Sequence, residues 1–185
     1  MPHAKDCKLL APNPLLNRRA GGFTLIELMI IVALLGVFAA IAVPSFTQFI
    51  NNNRTQSANN ETLALLQYAR GVAVAQRTTI IVCPDDGTWL VKEKDCTSTD
   101  SLRSMEVNIG TSISPNVDEI TFRHNGTAVA TATIQTCYQN DFANGYTIDV
   151  KSAGSIRTYP RGKSGAGASD NMDSCGATVE DESND

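Results

Sequence analysis

Residues 21–44 read GGFTLIELMIIVALLGVFAAIAVP, and this stretch decides how the rest of the chain must be built. From Phe23 to Val43 the only ionisable side chain is Glu27. A helix of that length rises 1.5 Å per residue and is about 30 Å long, the thickness of a bilayer hydrocarbon core. Lys5, Lys8, Arg18 and Arg19 precede the block. Positive charge ahead of an apolar segment holds that side in the cytoplasm, so the residues after Val43 are expected across the membrane. A carboxylate within a membrane span costs a few kcal/mol or more unless it is paired. Glu27 is therefore a functional candidate; the bland alternative is a charge near the interface that snorkels to the headgroups.

Working outward, the composition splits at the same block. The chain has 185 residues, 42% of them hydrophobic, and outside residues 23–43 it is polar and mixed like a soluble domain. The formal charge is −4, and beyond Gly22 eleven basic residues face eighteen acidic ones, a balance of −7. An acidic domain is a poor general binder of phosphate backbones. Of the five cysteines, Cys7 precedes the apolar block, while Cys83, Cys96, Cys137 and Cys175 follow it. Four cysteines in an oxidising compartment read as two disulfides with three connectivities open. Pairing Cys83 with Cys96 and Cys137 with Cys175 closes modest local loops and is the preferred expectation; the sequence does not decide it.

An ordinary secretory signal places its small-residue cleavage site after the apolar core. Here Gly21-Gly22 come before it, and the sequence runs on as Phe23-Thr24-Leu25-Ile26-Glu27. This resembles the prepilin signal of type IV pilins and type II secretion pseudopilins. The resemblance implies a leader, residues 1–22, removed by the prepilin peptidase between Gly22 and Phe23. It also implies N-methylation of Phe23 and retention of the apolar helix on the mature protein. Glu27 would then pair with the amine of a Phe23, on its own or a neighbouring chain, and set subunit register as the filament grows.

Pro44 ends the apolar block. It removes one helix donor, and it is read as a kink or local melt rather than an end. Residues 44–76 read as an amphipathic stem helix: Phe46, Phe49 and Ile50 are spaced i, i+3, i+4, and Leu63, Leu66, Ala69 and Ala73 continue the stripe, which is expected to be domain core. Residues 77–159 then turn to β-branched runs and turn signals. Strands are expected over 78–83, ending at Pro84, then 89–91, 105–113, 119–123, 127–130, 133–138, 146–151 and 155–159. Asn125-Gly126 makes the tip of a hairpin. The fold class is α+β, one long N-terminal helix packed on an antiparallel sheet domain. Residues 160–185, rich in Gly, Ser and Asp, are expected to form a flexible tail pinned at most by Cys175.

Leu65-Leu66-Gln67-Tyr68-Ala69-Arg70, then Ala73 to Val82-Cys83-Pro84, Trp89, and Ile120-Thr121-Phe122 with Asn125-Gly126 resemble the GspH/FimT/FimU group of minor pilins and pseudopilins. The resemblance covers the chain from Gly22 to about Tyr159. It implies the type IV pilin fold and a subunit held in the inner membrane, its C-terminal domain in the periplasm, before it enters the filament. The partners implied are other minor pilins, the major pilin, the prepilin peptidase, the inner-membrane assembly platform and inner-membrane lipid. The rival reading within the family is a minor pseudopilin of a type II secretion system.

No catalytic constellation stands out, and no cofactor is expected. After the leader the one histidine, His124, falls in a hairpin turn. Asp85, Asp86, Asp95 and Asp100 gather in one loop region but match no calcium-loop spacing, so no metal site is assigned. Arg157, Arg161 and Lys163, with Tyr159 between them, are the residues that would contact DNA in a transformation pilin. Some FimT-type pilins use a Gly-Arg-x-Arg element; here Ser155 stands where the first arginine would be, and acidic Asp170, Asp173, Glu180, Asp181 and Glu182 follow. DNA is the weaker reading.

Overall fold

The computed structural model describes residues 22–85 and 87–176. The basic leader residues with Cys7, the loop residue Asp86, and the acidic residues Glu180, Asp181 and Glu182 lie outside the described residues. The chain forms two compact units that meet between Val43 and Pro44.

One helix, α1 (Leu25–Gln76), contributes to both units and continues through Pro44. In the first unit every described residue is exposed, including Phe23, Leu25, Ile26, Leu28, Phe38 and Ile41. The helix is long and apolar enough to cross a membrane. An all-round apolar helix with no core of its own must be covered by lipid or by other helices.

The second unit buries a different face. Thr55, Ala58, Asn59, Thr62, Leu65, Leu66, Ala69 and Ala73 recur every three or four residues and form the buried stripe. The expected stripe is corrected in part: Phe46, Phe49 and Ile50 are exposed, and Leu63 lies at the flank of the core. The lower half of the true stripe is polar and carries no hydrophobic signal. Its hydroxyls are satisfied locally, Thr55 Oγ1 donating to Asn51 O at 3.0 Å and Thr62 Oγ1 to Ala58 O at 2.9 Å. The helix ends in a Schellman turn, with Arg77 at φ 53° and Thr78 N donating to Ala73 O at 3.2 Å.

Among the described residues eight strands follow: β1 (Ile80–Asp85), β2 (Thr88–Glu93), β3 (Arg103–Glu106), β4 (Thr111–Pro115), β5 (Ile120–Phe122), β6 (Ala132–Tyr138), β7 (Tyr146–Val150) and β8 (Ile156–Thr158). They make two four-stranded antiparallel sheets, ordered β3-β2-β1-β5 and β4-β6-β7-β8. Between α1 and the sheets lies one core of Leu65, Leu66, Trp89, Phe122, Ile134, Ile148 and their neighbours.

Three strand expectations need correction. β1 does not stop before Pro84 but pairs Pro84 with Trp89 at the hairpin end, where a missing N–H is tolerated. The run 105–113 is two strands in different sheets, divided by a turn at Gly110 with φ 84°. Gly110 is packed so closely on Tyr138 that a Cβ would lie 2.8 Å from its ring, so only glycine fits the turn. The Asn125-Gly126 turn forms, with Gly126 N donating to Arg123 O at 2.8 Å, but its second arm is a single bridge from Phe122 to Ala128. Ala128 N instead donates to Ser152 O, which ties this turn to the β7–β8 turn.

Residues 160–176 depart from the expected flexible tail. Gly162 N donates to Gly145 O, Met172 N to Gly162 O, and Met172 is buried against Cys137 and Cys175. One buried methionine, one disulfide and backbone hydrogen bonds hold a segment whose composition carries no such signal. The disulfides pair Cys83 with Cys96 and Cys137 with Cys175.

Candidate assembly site

The N-terminal residues singled out by sequence come together in the first turn of α1. Glu27 N donates to Thr24 Oγ1 at 3.2 Å, and Leu28 N makes the first helical bond to Thr24 O. Thr24 is thus the N-cap and Glu27 stands three residues inside, the spacing of a capping box. The sequence reading missed this signal, although Thr24-Leu25-Ile26-Glu27 spells it. A carboxylate here also faces the positive end of the helix dipole. No ion pair to Glu27 is formed among the described residues, where Lys151–Asp149 is the salt bridge present. Phe23 is 77% exposed. Gly22 has open space around its α-carbon, so nothing in the fold requires a glycine there.

The residues considered for DNA contact are not brought into one open row. Arg157 is exposed on β8, directly across from Asp149 on β7. Arg161 Nε donates to Tyr146 Oη at 3.3 Å, and Lys163 Nζ donates to Ala168 O and Asn171 Oδ1, both at 2.6 Å. Arg161 and Lys163 therefore help hold the segment after Pro160 in place.

Asp149 anchors a strongly polar cluster on the second sheet. Its Oδ1 accepts from Thr133 Oγ1 at 3.0 Å, and its Oδ2 accepts from Tyr159 Oη at 2.9 Å and from Lys151 Nζ at 3.1 Å. The hydrogen bond to Asp149 raises the Tyr159 phenol and the Lys151 ammonium above their ordinary values.

The acidic loop behaves as a structural unit. Asp95 Oδ1 accepts from Thr97 N, Thr97 Oγ1 and Ser98 N, and these bonds, the Thr97 hydroxyl first, hold its carboxyl below the ordinary range. Buried Lys92 donates to Cys96 O and Ser98 O on the other side of the loop. Among the described residues no three His, Cys, Asp or Glu side chains group closely enough to hold a metal ion. His124 is exposed in its turn.

Comparison with known proteins agrees with this arrangement. The family model described as type II transport protein GspH matches residues 58–154, more than half the chain, and the prokaryotic N-terminal methylation motif matches residues 17–43. The type IV major pilin protein PilA of Myxococcus xanthus is 49% identical over 49 residues, 26% of this chain; the chain spans only 22% of that relative. The type IV major alpha-pilin of Moraxella bovis is 32% identical over 124 residues, 66% of this chain and 73% of that protein. The crystal structure of the type IV minor pilin FimU of Pseudomonas aeruginosa superposes with a TM-score of 0.58 at 28% identity, covering 69% of this chain and 98% of that one. Family models on both units, a pilin relative matched over most of its length and a shared helix-on-sheet fold agree: the chain belongs to the type IV pilin-like family, in the group that carries the GspH domain.

Proposed function

We propose that this protein is a minor pilin that takes part in type IV pilus assembly as a priming or adaptor subunit. The observation that carries the reading is Glu27, a carboxylate without a salt-bridge partner among the described residues, in the capped first turn of a helix whose stretch up to Val43 is otherwise without charge and fully exposed. A charge in that setting needs a partner from outside, and the amine released by cleavage before Phe23 supplies one. Gly22, which the fold does not require, is then a demand of the prepilin peptidase. Before assembly the first unit sits in inner-membrane lipid and the folded unit lies in the periplasm. On delivery to the assembly platform, its apolar surface passes from lipid to the helices of the major pilin and other minor pilins.

The test is the amount of surface pilus sheared from a deletion strain. Pili should vanish on deletion and return with the wild-type gene. Glu27→Val should insert in the membrane yet fail to restore them. Pili at the normal level in the deletion strain would refute the assembly role. The description of the matched family as a type II transport protein favours one second reading, a minor pseudopilin. In that case deletion leaves pili intact and stops secretion of exported enzymes.

A further inference from the structure

We propose that α1 over residues 51–62 is a built-in opening segment, which releases from the sheets and closes again while the rest of the folded unit stays whole. The inference concerns the second unit alone and does not depend on the assembly reading.

The two halves of the stem are held by different chemistry. Residues 51–62 bury Thr55, Ala58, Asn59 and Thr62, so Ala58 is the one apolar side chain this half commits to the core. Residues 65–73 bury Leu65, Leu66, Ala69 and Ala73 in the main core. Burial of apolar area drives packing, and a polar side chain gains little from it. The cross-links differ in the same sense. In the lower half Asn59 Nδ2 donates to Thr158 Oγ1 at 3.1 Å and Thr62 Oγ1 lies 3.9 Å from Met105 Sδ, both neutral contacts. The Thr55 and Thr62 hydroxyls also donate to carbonyls of their own helix. In the upper half Arg70 Nε donates to Gly126 O at 2.9 Å, and the Arg103 guanidinium stands 5.2 Å from the centre of the Tyr68 ring. Contacts made by a charged group are the stronger kind.

Two further observations point the same way. Asn59 is 2% exposed, and its Oδ1 has no hydrogen-bond partner. An orphaned buried acceptor raises the energy of the closed state, and opening lets water reach it. The segment is also a poor helix former by composition. Residues 51–62 hold five Asn and two Thr, against four Ala and three Leu in residues 63–76. Opening therefore breaks few contacts and hydrates polar groups. Both sheets, both disulfides and the upper stem remain in place, so no part of the sheet core melts. Along the chain the segment lies between the apolar stretch 23–43 and the half of the stem that holds the core, and it makes the tie between them compliant.

The test is hydrogen exchange, read by mass spectrometry on the full chain in dodecyl maltoside micelles with both disulfides closed. After correction for intrinsic rates, the amides of residues 55–62 should exchange at least about tenfold faster than those of residues 66–73. Urea well below the unfolding midpoint should speed 66–73 and leave 55–62 unchanged, because a local opening exposes little surface. Asn59→Leu puts an apolar side chain of similar size at the orphaned position, while exposed Thr158 turns its hydroxyl to water. It should slow exchange over 55–62 by about tenfold. Equal rates in the two stretches, or a shared response to urea, mean that the stem opens only with the whole domain and overturn the proposal. Fast exchange over 55–62 that Asn59→Leu fails to slow removes its physical basis and overturns it too. If the variant does not fold, the two wild-type comparisons decide.

Discussion

Asp149 shows how one side chain can organise a sheet face. It is 8% exposed, yet both oxygens are occupied by groups from β6, the residue after β7, and Tyr159 just beyond β8. Hydrogen bonds to a charged group are worth about 1.5–3 kcal/mol each, less where solvent reaches them as it does at Lys151. Asp149→Asn should therefore destabilise the domain by about 2 kcal/mol in urea unfolding. The pH dependence has a definite sign. Tyr159 and Lys151 both bind their protons more tightly in the fold, so their contribution is complete below the ordinary values of 10.0 and 10.5. It is lost as pH rises through the raised values, so melting temperature should fall in alkali more steeply for wild type than for Asp149→Asn. Gly154 is the steric counterpart. At φ 83° a Cβ there would lie 1.9 Å from Gly126 O, the carbonyl that also accepts from Arg70 Nε. Gly154→Ala combines a backbone clash with left-handed strain and should cost about 3 kcal/mol or more by the same measurement.

At the scale of elements, the segment after Pro160 is held by a few specific contacts. The Cys137–Cys175 bridge closes a separation of 38 residues and Cys83–Cys96 one of 13. Chain-entropy arithmetic gives the longer loop about 4 kcal/mol and the shorter about 3. Replacing Cys137 and Cys175 by alanine should therefore free the segment and let trypsin cut after Arg161 and Lys163 faster than in the wild type, where hydrogen bonds and the disulfide hold it. Mass spectrometry of a brief digest reads the difference. The same segment shows where sequence reading fails. The anchor is Met172, one apolar residue amid Gly, Ser and Asp, and periodicity cannot register a single residue. Thr55, Asn59 and Thr62 failed differently: they are buried on α1 but polar, while exposed Phe46 and Phe49 carry the hydrophobic signal. Where burial and hydrophobicity coincide, as in Ile80 and Val82 or Ile134 and Ile148, the strands were legible. Glu27 and Gly22 stand out in the sequence because a lone charge and a glycine pair ahead of the apolar run are anomalies against an apolar background, whereas the Thr24 cap was hidden beside them.

On the scale of the whole molecule, the family likeness spans both units: the methylation motif covers residues 17–43 and the GspH domain residues 58–154. The first unit is nearly blank as a folding problem and carries the methylation motif, whereas the second holds the core. The order of strands within the second carries a consequence for how it unfolds. β4 belongs to the sheet of β6, β7 and β8, yet it precedes β5, which belongs to the sheet of β1, β2 and β3. The chain therefore passes from one sheet to the other three times, and residues of both sheets share one core with α1. Two sheets threaded in this way cannot behave as separate cooperative blocks. A calorimetric scan of residues 44–185 with both disulfides closed should show one endotherm whose van't Hoff and calorimetric enthalpies agree, and the domain should offer no half-melted state to proteases or to partners.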